Sequence, residues 1–118
     1  MNIKRGEIYL ATLDPVVGKE ISKTRPIVVV SNDKNNEFSG TVTILPVTSQ
    51  NLNKIYPFEV FLSKGSGKLP KDSKVKADQI RTLDKGRIVA RIGTLQKRDI
   101  QDIERAVKIH LALPQEPM

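Results

Sequence analysis

"SKTRPIVVVSND", residues 22–33, decides how this chain folds. Pro26 fixes its own φ and pushes Arg25 toward extended backbone. Ile27, Val28, Val29 and Val30 follow without a polar interruption, the pattern of a strand buried on both faces. A cation, Arg25, is therefore pinned where a polar loop enters a core strand. Lys23, two residues earlier, belongs to the loop and reads as an ordinary solvated charge.

Other short apolar runs surround this strand. "EIYLATL" (7–13) places Ile8 and Leu10 on one face. "TVTILPV" (41–47) alternates at Val42 and Ile44 until Pro46, which is expected to break the ladder at an edge or bulge. "PFEVFLS" (57–63) puts Phe58, Val60 and Leu62 inward and Glu59 and Phe61 outward. "SKVKADQ" (73–79) sets Val75 and Ala77 against Lys74, Lys76 and Asp78. "RIVARIG" (87–93) alternates at Ile88, Ala90 and Ile92. From Lys97 to Leu113 the period changes: Ile100, Ile103, Val107 and Leu111 recur every three to four residues, an amphipathic helix that Pro114 ends. His110 is expected at the edge of its buried stripe.

The connectors are polar. Residues 14–23 form a long loop of the kind that carries function, 32–40 has room for a short helical turn, and the Gly/Pro/Lys-rich 64–73 is expected to be flexible. Six or so strands and one packing helix predict a mainly β (α+β) fold, a small and strongly bent antiparallel sheet or partial barrel with a C-terminal helix. The 118 residues suit a single domain, with a core of about 4–113 and a tail at 114–118.

Composition narrows the chemistry. The chain has no cysteine and one histidine, His110. That argues against disulfides, thiolate or histidine metal sites, and a His-dependent triad; no metal and no cofactor is expected. No apolar run is long enough to span a bilayer, and "MNIKRGEIYLA" lacks the apolar block of a signal peptide, so a cytoplasmic protein without a membrane partner is expected. Twenty Lys and Arg against thirteen Asp and Glu leave +7, a balance suited to nucleic acid or to an acidic protein segment. Two Tyr and three Phe are too few for a multi-aromatic stacking platform.

Four stretches stand out together: "RGEIYLATLDPVVGKE", "TRPIVVVSND", "ILPVTSQ" and "VKADQIRTLDKGRI". In this order and spacing the set resembles the MazF/PemK/Kid family of toxins, from Lys4 to about Leu113. The resemblance implies an SH3-like barrel that works as a homodimer. It further implies a metal-independent endoribonuclease that cuts single-stranded RNA at short sequences, leaving a 2′,3′-cyclic phosphate and a 5′-hydroxyl. Arg25 and Thr48 match the family's catalytic Arg and Thr, Asp78 the acidic position beside Gln79, and Ser49 a polar neighbour of the Thr. Ser22, Lys23, Ser49, Lys76 and Gln79 are then expected to bind RNA. Its partners would be mRNA and an acidic, MazE-like antitoxin, with operator DNA a partner of the toxin–antitoxin complex. In one respect the chain departs from the family: where the loop before "RP" is often glycine-rich, this one reads "GKEISKTRP".

The reaction needs no protein nucleophile, because the substrate's own 2′-hydroxyl attacks phosphorus. An Arg fork suits two phosphoryl oxygens at once, and Thr48 can donate to one. Arg is a poor general base at neutral pH. The base is therefore Asp78 or Glu20. In a regular strand Lys76 and Asp78 share a face while Gln79 points away, so all three line one site only if the strand bulges or ends near residue 78. Two other readings use the same barrel: a CcdB-like gyrase poison acting by protein contact, and an RNA-binding module that does not cut.

Overall fold

The computed structural model describes residues 2–20 and 23–115. Seven strands and two helices follow one another as β1 (Glu7–Thr12), β2 (Thr24–Val29), α1 (Asp33–Phe38), β3 (Thr41–Thr48), β4 (Glu59–Leu62), β5 (Ser73–Lys76), β6 (Arg81–Asp84), β7 (Ile88–Thr94) and α2 (Lys97–His110). All strand pairs are antiparallel, in the order β4-β5-β3-β2-β1-β7, with β6 also paired to β3. This is the mainly β sheet with a C-terminal helix that the sequence predicts.

The run after Pro26 is covered on both faces, as its composition requires. Val28 packs with Ile8, Leu45, Val47, Val75, Ile103 and Ala106, the core that α2 covers. Ile27 and Val29 point the other way, into a second core with Tyr9, Ala11, Val42, Ile44 and Leu83. β1 is likewise buried on both faces: Ile8 lies in one core, Tyr9 and Ala11 in the other, and Leu10, expected beside Ile8, is only half-buried.

Pro46 does not break its strand. β3 runs through it, with Pro46 opposite Ile27 of β2. Thr43 directs its carbonyl to Val30 N–H, so alternate residues face alternate neighbours and Pro46 turns its missing N–H away from β2. On that side β6 pairs with β3 only up to Ile44, and β5 begins at Val47. The proline sits in the gap between two partner strands, where no donor is needed.

The stretch 73–79 is not one strand. β5 stops at Lys76, a 3₁₀ turn covers Ala77–Gln79, and β6 resumes along β3. β6 escaped the sequence reading because only Leu83 of its four residues is buried. The loop at 64–73, expected to be flexible, is built into the first core. It contains a 3₁₀ turn at Ser66–Lys68 and buries Leu69. Gly67, at φ 53°, sits so close that a Cβ there would lie 2.6 Å from Ile8 Cδ1.

Asn32 caps α1 by accepting the Asn35 N–H, which makes the short helix expected within 32–40. α2 buries Ile103 and Ala106, and it ends at His110 rather than Leu113. Ala112 takes a left-handed φ of 54°, and the N–H groups of Ala112 and Leu113 return to the carbonyls of Ile109 and Lys108, a Schellman stop reached before Pro114. His110 is exposed, its ring 6.2 Å from that of Phe58, not packed in the stripe. Among the described residues no helix is long and apolar enough to cross a membrane.

Candidate active site

Strand register assembles the site. β2 and β3 pair Val29 with Ile44, Val28 with Leu45 and Ile27 with Pro46. Continued by two residues, that register sets Arg25 opposite Thr48. Thr48 pairs with Lys74 on its other side, Lys74 with Phe61, and Arg25 with Ala11. Residues directly opposite in an antiparallel sheet share a face. One row therefore reads Ala11, Arg25, Thr48, Lys74, Phe61. The next row on that face reads Tyr9, Ile27, Pro46 and, past the end of the β3–β5 ladder, Lys76 and Glu59. The second core fills the β1–β2 half of this face, and charged groups fill the β3–β5–β4 half.

Arg25 is half-buried in β2 and lines a cleft of about 270 Å³ with Lys23, Thr24, Ser49, Lys71 and Ser73. Lys23 is not a loose loop residue. Its N–H donates to Asp14 Oδ1 at 2.9 Å, its carbonyl accepts Leu13 N–H at 2.9 Å, and its backbone is left-handed at φ 70°. Thr48 closes β3 and is 8% exposed, its Oγ1 accepting Gln50 N–H at 3.2 Å.

The acidic candidates separate. Asp78 is half-buried in the 3₁₀ turn, with Oδ1 3.7 Å from Lys76 Nζ. Among the described residues, that buried oxygen has no hydrogen-bond partner. Because β5 ends at Lys76, the turn sends Ala77 into the core and keeps Asp78 beside Lys76. Gln79 is half-buried in the same turn. Glu20 stands elsewhere: it is exposed, and its Oε1 accepts Val17 N–H at 2.6 Å within its own loop. Of the expected site residues that are described, Lys23, Arg25 and Ser49 line this cleft, whereas Glu20, Thr48, Lys76, Asp78 and Gln79 do not. Ser22 lies outside the described residues.

Two residues expected on a solvated face are buried. Glu59 and Lys74 are 5% and 4% exposed. Glu59 Oε1 accepts Lys74 Nζ at 3.1 Å and Tyr56 N–H at 3.0 Å, while Oε2 accepts Lys76 Nζ at 2.7 Å. Burial alone would raise the Glu59 carboxyl, but the bonds from Lys76, Tyr56 and Lys74 outweigh it and hold the group below its ordinary value. The loop at 51–56 covers this face, which is why the outward residues are not in water. The available signal was charge pairing: Glu59 lies directly opposite Lys76 and diagonal to Lys74 on the neighbouring strand.

Comparison with known proteins places this geometry. The family described as PemK-like, MazF-like toxin of type II toxin–antitoxin systems matches residues 4–111. The chain belongs to this family. It is 40% identical over 116 residues to endoribonuclease MazF9 of Mycobacterium tuberculosis, covering 94% of this chain and 98% of that protein. It is 37% identical over 111 residues to endoribonuclease MazF of Staphylococcus saprophyticus, covering 94% and 92%. Among solved structures, MazF of Deinococcus radiodurans superposes with a TM-score of 0.83 at 26% identity, over 96% of this chain and 99% of that one. The PemK/MazF match contains every candidate residue named above, including the cleft around Arg25 and the buried cluster around Glu59.

Proposed function

We propose that this chain is the toxin of a type II toxin–antitoxin pair and an endoribonuclease that cuts single-stranded RNA. The observation that carries the reading is the β2–β3 register, which when extended sets Arg25 opposite Thr48, with Arg25 also lining a cleft beside Lys23, Ser49 and Lys71. The cations and hydroxyls at this cleft suit a phosphodiester. In the proposed reaction the ribose 2′-oxygen bonds to phosphorus and loses its proton to Asp78. The bond from phosphorus to the 5′-oxygen breaks, and that oxygen leaves as a hydroxyl after taking up a proton. Arg25 balances the charge that accumulates on the phosphoryl oxygens, and Thr48 donates to one of them; such pre-placed donors act chiefly on the transition state. The orphaned Oδ1 of Asp78 favours it over Glu20 as base, since Glu20 is already bonded within its loop. Lys23, Lys76, Ser49 and Gln79 would hold the flanking RNA.

The partners follow from the same reading. A +7 chain of this family suits an acidic antitoxin segment laid over the cleft. Ile109, Leu111 and Leu113 are exposed beside the end of α2 and suit a second copy of the chain. A toxin that cuts mRNA would act in the cytoplasm. The test is incubation of pure protein with single-stranded RNA in EDTA, followed by end analysis. Fragments ending in a 2′,3′-cyclic phosphate and beginning with a 5′-hydroxyl are expected. RNA that is bound and left whole would return the chain to the class of binding modules.

A further inference from the structure

The buried lysine of β5 has no place in the mechanism above, yet it is tied to more groups than any other lysine described. Lys74 Nζ donates to the carbonyl of Asn51 at 2.9 Å, to the carbonyl of Lys54 at 3.2 Å and to Glu59 Oε1 at 3.1 Å. An ammonium has three N–H donors, and here all three are taken. No donor is left for a phosphate, so Lys74 does not bind RNA itself. What it does bind is the main chain of the loop that leaves Thr48.

That loop is tied at several points to the same patch of sheet. Thr48, opposite Lys74, accepts Gln50 N–H. Farther along, Tyr56 donates its N–H to Glu59, and its ring stacks on Phe58 at 5.4 Å with 6° between planes. Between these ties Asn51 and Asn53 are exposed. Their amides carry the donors and acceptors that single-stranded bases present on their edges. We infer that Lys74 is a positioning residue that fixes the loop from Gln50 to Tyr56 against Thr48, so that base choice by the loop and phosphate placement at Thr48 are set together. The inference rests on the endoribonuclease reading.

The experiment compares wild type with Lys74→Met on a single-stranded RNA of randomised sequence, scoring every cut by end sequencing. Amide exchange over residues 50–56 is measured in parallel. Exchange there should speed up, and discrimination between the best and next-best cut site should fall about tenfold, the scale of one lost selective contact. KM should rise more than the rate at saturating RNA falls. Unchanged site ranking with unchanged exchange overturns the inference. So does a folded variant that keeps its ranking but loses about a hundredfold in saturating rate, the scale of a lost transition-state donor. If wild type cuts nothing, the endoribonuclease reading fails, while the exchange data still decide whether Lys74 holds the loop. Should Lys74→Met not fold, Lys74→Arg keeps the charge beside Glu59 but its planar fork cannot meet three acceptors gathered around one ammonium. Loosened exchange and relaxed ranking are expected there too, and their absence overturns the proposal.

Discussion

Lys76 holds its ammonium 2.7 Å from Glu59 Oε2 and 3.7 Å from Asp78 Oδ1. One cation thus links a sealed carboxylate to the carboxylate proposed as the base. The short contact anchors the lysine, and the longer one leaves the buried Asp78 oxygen without a hydrogen bond. Glu59 therefore supports Asp78 at one remove.

Asp78→Asn and Glu20→Gln distinguish the two candidate bases. The first should lower the single-turnover rate by about 10²–10⁴, the range for a general base. The second should leave it near wild type. Rapid-quench kinetics at saturating RNA measure both, and a reversed order would move the proton acceptor to the 14–23 loop.

Arg25→Ala should lower the single-turnover rate by at least about a hundredfold. Arg25→Lys should recover little of that, because a point charge cannot bridge two phosphoryl oxygens. Circular dichroism should show both variants folded. Rapid cleavage by folded Arg25→Ala would remove Arg25 from the mechanism.

A substrate with one deoxyribose immediately 5′ of the scissile phosphate should bind with near-normal affinity and stay intact. Filter binding and gel analysis of the same mixture give both readings. Cleavage at that bond would mean that water or a side chain attacks.

Acid should destabilise the fold partly through Glu59. Its folded carboxyl lies below the ordinary value of 4.5. The stability it contributes is therefore fully present above that value and is lost as pH falls through the folded pKa. Thermal melts from pH 7 down to pH 3 should show a shallower acid slope in Glu59→Gln than in wild type. Glu59→Ala should cost about 3–5 kcal/mol at neutral pH, since it leaves a buried ammonium without its counter-charge. Parallel acid slopes would mean that Glu59 is not protonated on unfolding.

An acidic antitoxin peptide should compete with RNA for the cleft, and its association should slow as salt rises while dissociation changes less. Stopped-flow binding at several salt concentrations, with and without a non-cleavable RNA, measures both. Simultaneous binding of peptide and RNA would place the antitoxin at a remote surface.

How much was legible in the sequence varied with the physics of each element. The strand after Pro26 could be read because four consecutive apolar residues have few other uses, and α2 because its period is long and regular. β6 could not, since a strand with only Leu83 buried carries no alternation. Pro46 misled because its missing donor falls where β3 changes partner, and local sequence does not encode that. For the site, Arg25 stood out by its fixed backbone, whereas Glu59 and Lys74 looked like surface charges. Their burial depends on a loop from elsewhere in the chain lying over them, and no pattern within either strand reports it.

The loop between Asp14 and Lys23 closes on a stapled neck. Leu13 N–H meets the Lys23 carbonyl, Asp14 accepts Lys23 N–H, Arg81 reaches the Leu13 carbonyl, and Arg87 reaches those of Thr12 and Asp14. With its base secured this way, what happens inside the loop is decoupled from the barrel's cohesion. A segment closed at such a neck can serve as a replaceable cassette: changes within it need not disturb Arg25, which next to its exit stays paired with Ala11 of β1. For an engineer the same neck marks where a foreign loop can be grafted with least risk to folding.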